Sequence, residues 1–332
     1  MEAQWLRHIH SRLDQSDVSL DLSFSAYYAS HQDRTLLSRG IGAMLPLFYE
    51  RSDTVPMIMH GMKLQVDITK YLNPGQMPVM CGDGPIYTLM KLVQWNYPEQ
   101  FGEDKFFVMF AGFHIEKKFM EMLGKLLQGS GWTSIMASAC VVTETAAESV
   151  LRACHVKRAR ALHEVSAAVL YSLRMDSYAS AGSNLEFDQW CEQESEGNPS
   201  FKFWSLILNL ESMLLTFVHS IRDGNFDMYV ETLKKMVPWF FIFNHPHYSR
   251  WLPVHLRDLE ELATKSPALY EEFKKGNFVM RKTDNPFSAL AIDQAHEQHN
   301  ADMKDFGGVI GLTQDPAALR SYYVCTRSKQ GS

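Results

Sequence analysis

The stretch of the sequence with the clearest strand and turn signals is residues 77–114, which read MPVMCGDGPIYTLMKLVQWNYPEQFGEDKFFVMFAGFH. Two short apolar runs within them, Met77–Cys81 and Phe106–Phe110, are bounded by turn residues and therefore predict buried strands. Between these runs, Pro85 suits the first turn of a helix, and Ile86–Trp95 has helical periodicity. A crossover of this length favours parallel strands, so the sequence predicts a β-α-β unit.

Two polar residues follow the predicted strands at equivalent positions. Asp83 comes directly after the first strand, and His114 comes after the second and opens a long amphipathic helix to about Leu127. Ligands and metals gather at the carboxyl ends of parallel strands, so both residues are candidates for binding or catalysis. The structural alternatives are an Asp83 that caps the following helix and a His114 that only hydrogen-bonds the backbone.

A third candidate lies far along the chain, in the final helix predicted from about Ser288 to Met303. Asp293, His296, Glu297 and Asn300 are spaced to form one polar helix face. Glu297 together with Asp83 would supply the carboxylate oxygens that a hard divalent cation prefers, and Asn300 is a candidate nucleic-acid contact. The alternative is a solvated helix face.

Composition and charge argue against some classes of protein. The chain has 332 residues, a net charge of −6 and five cysteines without a CxxC pair. The acidic balance argues against a stand-alone DNA-binding protein, because such proteins depend on Lys and Arg to neutralise phosphates. The cysteines indicate reduced thiols in an intracellular protein, nuclear or cytoplasmic. We expect no membrane partner, since no sufficiently long apolar run is evident.

The predicted secondary structure changes after the β-α-β unit, because the segments beyond residue 140 have almost entirely helical patterns. We predict four consecutive parts. They are an irregular N-terminal region (1–55) that includes any remnant of the first core strands, an α/β core (56–132), a helical insertion (133–285), and a C-terminal helix that returns to the core, with a tail (286–332).

Basic and histidine-rich stretches offer candidate nucleic-acid contacts. The run 155–160 is the most basic in the chain, and its candidates are Lys157, Arg158 and Arg160. In the run 244–251, His247 and Arg250 lie beside aromatic residues, a combination that can stack bases or grip phosphate. The alternatives are a solvated basic turn for the first run and a polar core junction for the second. The histidines suggest zinc only weakly, because paired cysteines are absent.

Several segments resemble a multi-copy family of transposon-associated eukaryotic proteins over about residues 18–325. More distantly, the core is similar to RNase H-like transposases of the Mutator and hAT kind. The segments that carry the resemblance are NPGQMPVMCGDGPIYTLMKLVQW, FFVMFAGFHIEKKFMEMLGKLLQGSGW, NHPHYSRWLPVHLRDL and FSALAIDQAHEQHNADMKDFGGVIGLTQDPAAL.

The resemblance implies a catalytic set. Asp83 matches the second acidic residue, His114 the inter-strand histidine and Glu297 the late glutamate, while Asp21 in SLDLSF stands for the first acidic residue. Mg²⁺ or Mn²⁺ held by Asp83 and Glu297 would then support DNA cleavage and strand transfer. Ala111 departs from the pattern, which has cysteine at that position.

These observations lead to two expectations. The first is a transposase-derived protein, active, inactive or truncated, with a complete or incomplete RNase H-like α/β core and a large helical body. The second is a non-enzymatic scaffold that binds a protein partner through helices 201–262. The separation of the Asp83 and Glu297 carboxylates distinguishes them, because the first expectation requires the late helix to fold back onto the early sheet.

Overall fold

The computed structural model describes residues 2–12, 23–32, 38–42, 50–307, 317 and 320–321. Within these ranges the chain is mostly helical, with a single sheet made of β1 (Val79–Gly82) and β2 (Phe107–Phe110). The helices are α1 (Glu2–His10), α2 (Phe24–Ser30), α3 (Val55–Leu72), α4 (Gly84–Asn96), α5 (Pro98–Phe101), α6 (Gly112–Leu127), α7 (Trp132–Ser138), α8 (Glu144–Leu151), α9 (Val156–Ala181), α10 (Phe187–Gly197), α11 (Pro199–Arg222), α12 (Phe226–Ile242), α13 (Pro246–Glu260), α14 (Leu262–Lys265), α15 (Pro267–Lys274) and α16 (Ile292–Gly307).

The predicted RNase H-like α/β core is wrong. Such a core needs further strands between the first two acidic residues, and the described residues 50–76 of that interval contain α3 and no strand. Near residue 280, Met280 forms one isolated antiparallel bridge with Leu290. The physical reason is that the segments before and after the two strands have helical periodicity and end in turn residues, so they form helices. Within the described residues, the two four-residue strands therefore pair with each other and with no third strand.

The β-α-β unit itself is confirmed. The two strands are parallel, in a register that runs from Val79 opposite Phe107 to Gly82 opposite Phe110. Gly82 allows α4 to turn back over β1, because a Cβ at this position would lie 2.7 Å from Cγ2 of Ile86. The residue after Gly82 therefore emerges directly at the carboxyl end of the strand.

The described residues divide into two compact units that alternate along the chain. Unit 1 falls within Met1–Thr35, Ile115–Asn244 and Asn285–Phe287, and unit 2 within Leu36–His114, His245–Asp284 and Ser288–Ser332. This division differs from the four consecutive parts predicted from the sequence, because segments far apart in the chain assemble the same unit.

Unit 1 is a helical assembly around an apolar core that contains a buried ion pair. Its core includes Trp5 of α1 and Phe24 of α2. The Arg160 guanidinium of α9 donates to the Glu116 carboxylate of α6, with 2.5 Å between Nη2 and Oε2, and both side chains are buried. A buried ion pair with two parallel hydrogen bonds satisfies groups that would be costly to bury alone.

Unit 2 buries a charged cluster near the beginning of β2. The Lys91 side chain is 1% exposed, and its Nζ lies 2.9 Å from both Glu103 Oε1 and Asp258 Oδ2. Gln94 donates to the Phe106 carbonyl at 2.7 Å, which ties α4 to the residue that precedes β2. Lys91 is thus a core residue that fixes α4 and α13 around the sheet.

Helix α11 is the one element of the described chain whose length and hydropathy alone would suit a membrane span. The sequence analysis predicted no apolar stretch of that length. In its most apolar 18-residue stretch, 44% of the residues are buried inside the protein.

Candidate functional site

Asp83 and His114 lie at the same edge of the sheet, as predicted. β1 and β2 end opposite each other at Gly82 and Phe110, and Asp83 follows the first of these residues directly. His114 lies in the first turn of α6, which begins at Gly112. The parallel pairing therefore brings the starts of α4 and α6 to one edge of unit 2.

Asp83 has a structural role at this edge. It is the N-cap of α4, and its Oδ1 accepts a hydrogen bond from the Ile86 backbone N–H at 3.2 Å. This is the capping interaction that the sequence offered as an alternative. In the described part of the chain no hydrogen bond is recorded for Oδ2, so capping leaves one carboxylate oxygen for another ligand.

His114 is held by Asp293 of α16. The ring Nδ1 lies 3.0 Å from Asp293 Oδ2, and the same carboxylate accepts the backbone N–H groups of Phe113 and His114 at 3.1 Å each. The His114 side chain is 29% exposed and that of Asp293 is 11% exposed. One carboxylate thus caps α6 and orients the imidazole that begins it.

The electrostatic surroundings of His114 are acidic. The hydrogen bond to Asp293 raises the pKa of His114, partial burial opposes this increase, and the charges of Asp293, Asp83 and Glu297 raise the pKa further. These three carboxylates come from the start of α4 and from two successive turns of α16. They favour the protonated, positively charged imidazole.

Glu297 reaches the predicted region. Helix α16 packs against β1, so the predicted return of the late helix to the early sheet is confirmed. Glu297 is exposed, and its charge acts on the pKa of His114 as that of Asp83 does. Asn300 lies three residues further along α16 and is half-buried.

The first turn of α13 also flanks this edge. The Tyr248 hydroxyl donates to the His114 carbonyl at 3.4 Å, and its ring packs against Phe110 with 5.3 Å between centroids. His247 is exposed, and its Cβ would lie 3.9 Å from a Cβ added at Gly84. Arg250 is also exposed. His247 therefore lies beside the first turn of α4.

The basic run at the start of α9 divides into exposed and buried residues. Lys157 and Arg158 are exposed, whereas Arg160 is buried in its pair with Glu116. Arg160 therefore does not present its guanidinium to a nucleic acid, and its proposed role as a contact is corrected to a core role. Asp21, the candidate for the first acidic residue, lies outside the described residues.

Asp83 and Glu297 are the two carboxylates of this region that could hold a hydrated cation. Within the described ranges no group of three or more His, Cys, Asp and Glu side chains is arranged to hold a metal ion. Mg²⁺ usually keeps several waters and takes one or two protein carboxylates, which Asp83 Oδ2 and Glu297 can supply. A two-metal centre would need more carboxylates than these, because Asp293 already holds α6 and His114.

Two residues important to the geometry were missed by the sequence reasoning. Asp293 was seen only as part of a polar helix face, and Tyr248 only as part of an aromatic and basic run. Asp293 lies in the first turn of α16, where a carboxylate is common, but the helix predicted from about Ser288 placed it in the second turn. Its partner lies 179 positions away, which spacing within one helix does not reveal.

Comparison with known protein families gives one match. The model of a family described as Domain of unknown function (DUF8702) matches residues 170–330. The matched region contains Asp293 and Glu297 but neither Asp83 nor His114. No curated protein and no solved structure matches the chain.

Proposed function

We propose that this protein cleaves phosphodiester bonds of DNA with the help of one divalent cation, Mg²⁺ or Mn²⁺. The observation that supports this proposal is that Asp83 and the Asp293-bound His114 lie at one end of the parallel strand pair, against which α16, the helix that carries Glu297, packs. It is also the activity that the resemblance to transposon-associated proteins implies. The proposal depends on the residues of this edge and does not require an RNase H-like fold.

Each residue has a defined role in the proposed reaction. A cation held by Asp83 and Glu297 would neutralise charge on the phosphate and acidify a bound water. His114 moves a proton at Nε2, the ring nitrogen opposite its contact with Asp293. His247 and Arg250 are suited to hold the DNA backbone beside the edge, since exposed cationic groups bind phosphate. Lys157, Arg158 and Asn300 are further proposed DNA contacts.

We expect metal-dependent nicking of supercoiled plasmid that is lost when either proposed cation ligand is made neutral. Asp83→Asn keeps an oxygen to cap α4, and Glu297 is exposed, so Asp83→Asn and Glu297→Gln should both fold. Each is expected to lower the nicking rate at least about 100-fold, the lower end of what positioned catalytic groups contribute. The measurement is the initial nicking rate with Mg²⁺, with Mn²⁺ and with EDTA.

The matched control is Glu271→Gln, which removes an exposed carboxylate from α15 of the same unit. Its nicking rate should equal that of the wild type. A folded wild-type protein without metal-stimulated nicking would remove the proposal. So would a rate that Asp83→Asn and Glu297→Gln leave unchanged.

A second candidate is a non-enzymatic protein that binds a partner through its helices. The observation in its favour is that Phe241 and Ile242, at the end of α12, are 57% and 65% exposed. Contiguous apolar surface often marks a contact site, and these two side chains are adjacent in the chain. An inactive protein whose specific binding to a partner is lost in a Phe241→Ser, Ile242→Ser variant would favour this second candidate over cleavage.

A further inference from the structure

The Asp293 carboxylate accepts hydrogen bonds from three donors. Oδ1 accepts the Phe113 N–H, while Oδ2 accepts the His114 N–H and lies 3.0 Å from His114 Nδ1. Because the backbone donors and the ring belong to the first turn of α6, the carboxylate fixes the backbone and the imidazole together.

The contact determines which ring nitrogen carries a proton. An ionised carboxylate only accepts hydrogen bonds, so Nδ1 must be the donor in the pair. In the neutral ring, Nε2 then has the free lone pair, and in the charged ring Nε2 carries the proton that can leave. No hydrogen bond to Nε2 is recorded in the described part of the chain, and the ring is partly exposed. Nε2 is therefore the nitrogen that faces a reaction partner.

The other contacts of His114 support the same orientation. Tyr248 holds the His114 carbonyl from α13, so the residue is restrained on its backbone as well as at its ring. The charged groups that act on the ring are Asp83 at the start of α4, and Asp293 and Glu297 on α16. Only Asp293 contacts the ring directly.

We propose that Asp293 is the positioning residue of this site: it keeps Nδ1 of His114 protonated in both ring forms, so that the charged imidazolium donates its Nε2 proton as the general acid. This inference rests on the proposed function. In the reaction, the oxygen of a water molecule bonds to phosphorus as the bond from phosphorus to the leaving oxygen breaks. Nε2–H donates its proton to the leaving oxygen, the attacking water releases one proton to solvent, and Nε2 regains a proton from solvent.

The test combines steady-state nicking kinetics with ¹⁵N NMR of the imidazoles in the full chain without DNA. The His114 signals are identified by their loss in His114→Gln. Asp293→Asn keeps the shape of the side chain but offers an amide N–H to Nδ1, which permits the other tautomer. In the neutral ring, we expect Asp293→Asn to move the proton from Nδ1 to Nε2. We expect kcat to fall by roughly 10²–10⁴-fold with little change in KM, because without the carboxylate the imidazolium that donates the Nε2 proton is no longer stabilised.

Three comparisons make the result specific. Asp293→Glu keeps a carboxylate and should recover part of kcat. Asp302→Asn, an exposed position on the same helix, should change neither the NMR signals nor kcat. Glu297→Gln should lower nicking without changing the tautomer.

Different results would contradict the proposal of DNA cleavage and the proposal that Asp293 positions His114. An inactive wild type whose Nδ1 proton is lost in Asp293→Asn would remove cleavage but keep the assignment of the tautomer to Asp293. An Asp293→Asn protein with wild-type tautomer and wild-type kcat would overturn the positioning role even if the chain cleaves DNA.

Discussion

Replacing Arg160 by alanine is expected to lower the free energy of unfolding by about 3–5 kcal/mol, because the change leaves the Glu116 carboxylate buried without its partner. Glu116 is 1% exposed and accepts two hydrogen bonds from the Arg160 guanidinium. Urea denaturation followed by circular dichroism measures the loss.

Two controls separate this core role from a role in binding DNA. Lys157→Ala and Arg158→Ala change exposed residues of the same helix and should alter stability by no more than about 0.5 kcal/mol. The double variant Glu116→Leu, Arg160→Met replaces the pair by apolar side chains and should recover most of the stability. If Arg160→Ala were as stable as Lys157→Ala, the buried ion pair would not be an important contact.

Replacing His255 by leucine is expected to make the protein markedly less sensitive to acid. His255 is fully buried beside the rings of Tyr87, Phe107 and Phe110, and neither of its ring nitrogens has a hydrogen-bond partner in the described chain. Burial, together with the positive charge of Lys91, lowers the pKa of His255 to about 3. The folded protein therefore holds this ring neutral.

The sign of the pH effect follows from the unfolded state, in which histidine has a pKa near 6.5. Between pH 6.5 and the folded pKa, the unfolded chain binds a proton at this residue that the folded chain does not, so stability falls as the pH is lowered. The loss from His255 alone should reach about 2 kcal/mol at pH 5, since each pKa unit corresponds to about 1.4 kcal/mol.

The measurement is urea denaturation at pH 7 and pH 5 for the wild type, His255→Leu and His247→Leu. His255→Leu should lose about 2 kcal/mol less than the wild type between these two pH values. His247 is an exposed histidine on the same helix, so His247→Leu should lose as much as the wild type. Equal losses in all three proteins would show that His255 is not held neutral.

Local sequence signals predicted the part of unit 2 that surrounds the candidate site. Turn residues on both sides of the apolar runs located β1 and β2, and Pro85 marked the beginning of α4. In these places, neighbouring residues carry the information that specifies the structure. The return of α16 to the sheet is different, because it was a requirement of the transposase-derived expectation and no local signal specified it.

The features that the sequence did not predict depend on contacts between residues that lie far apart in the chain. Arg160 and Lys157 look alike in a basic run, and only the position of Glu116, 44 residues earlier, distinguishes the buried side chain from the exposed one. Lys91 occupies a helix that reads as apolar, and its partner Asp258 lies 167 residues later. The RNase H-like core was predicted from a resemblance of segments, which does not specify how many strands pair.

The distance in sequence between His114 and Asp293 has a consequence during synthesis of the chain. The two residues are 179 positions apart. At translation rates of about 5–20 residues per second, the nascent protein carries its histidine for roughly 10–35 s before the matching carboxylate is made. During that interval the first turn of α6 lacks its cap, while residues 115–244 are already available to assemble. The edge that holds Asp83 and His114 is therefore completed only after the ribosome has made the chain as far as Asp293.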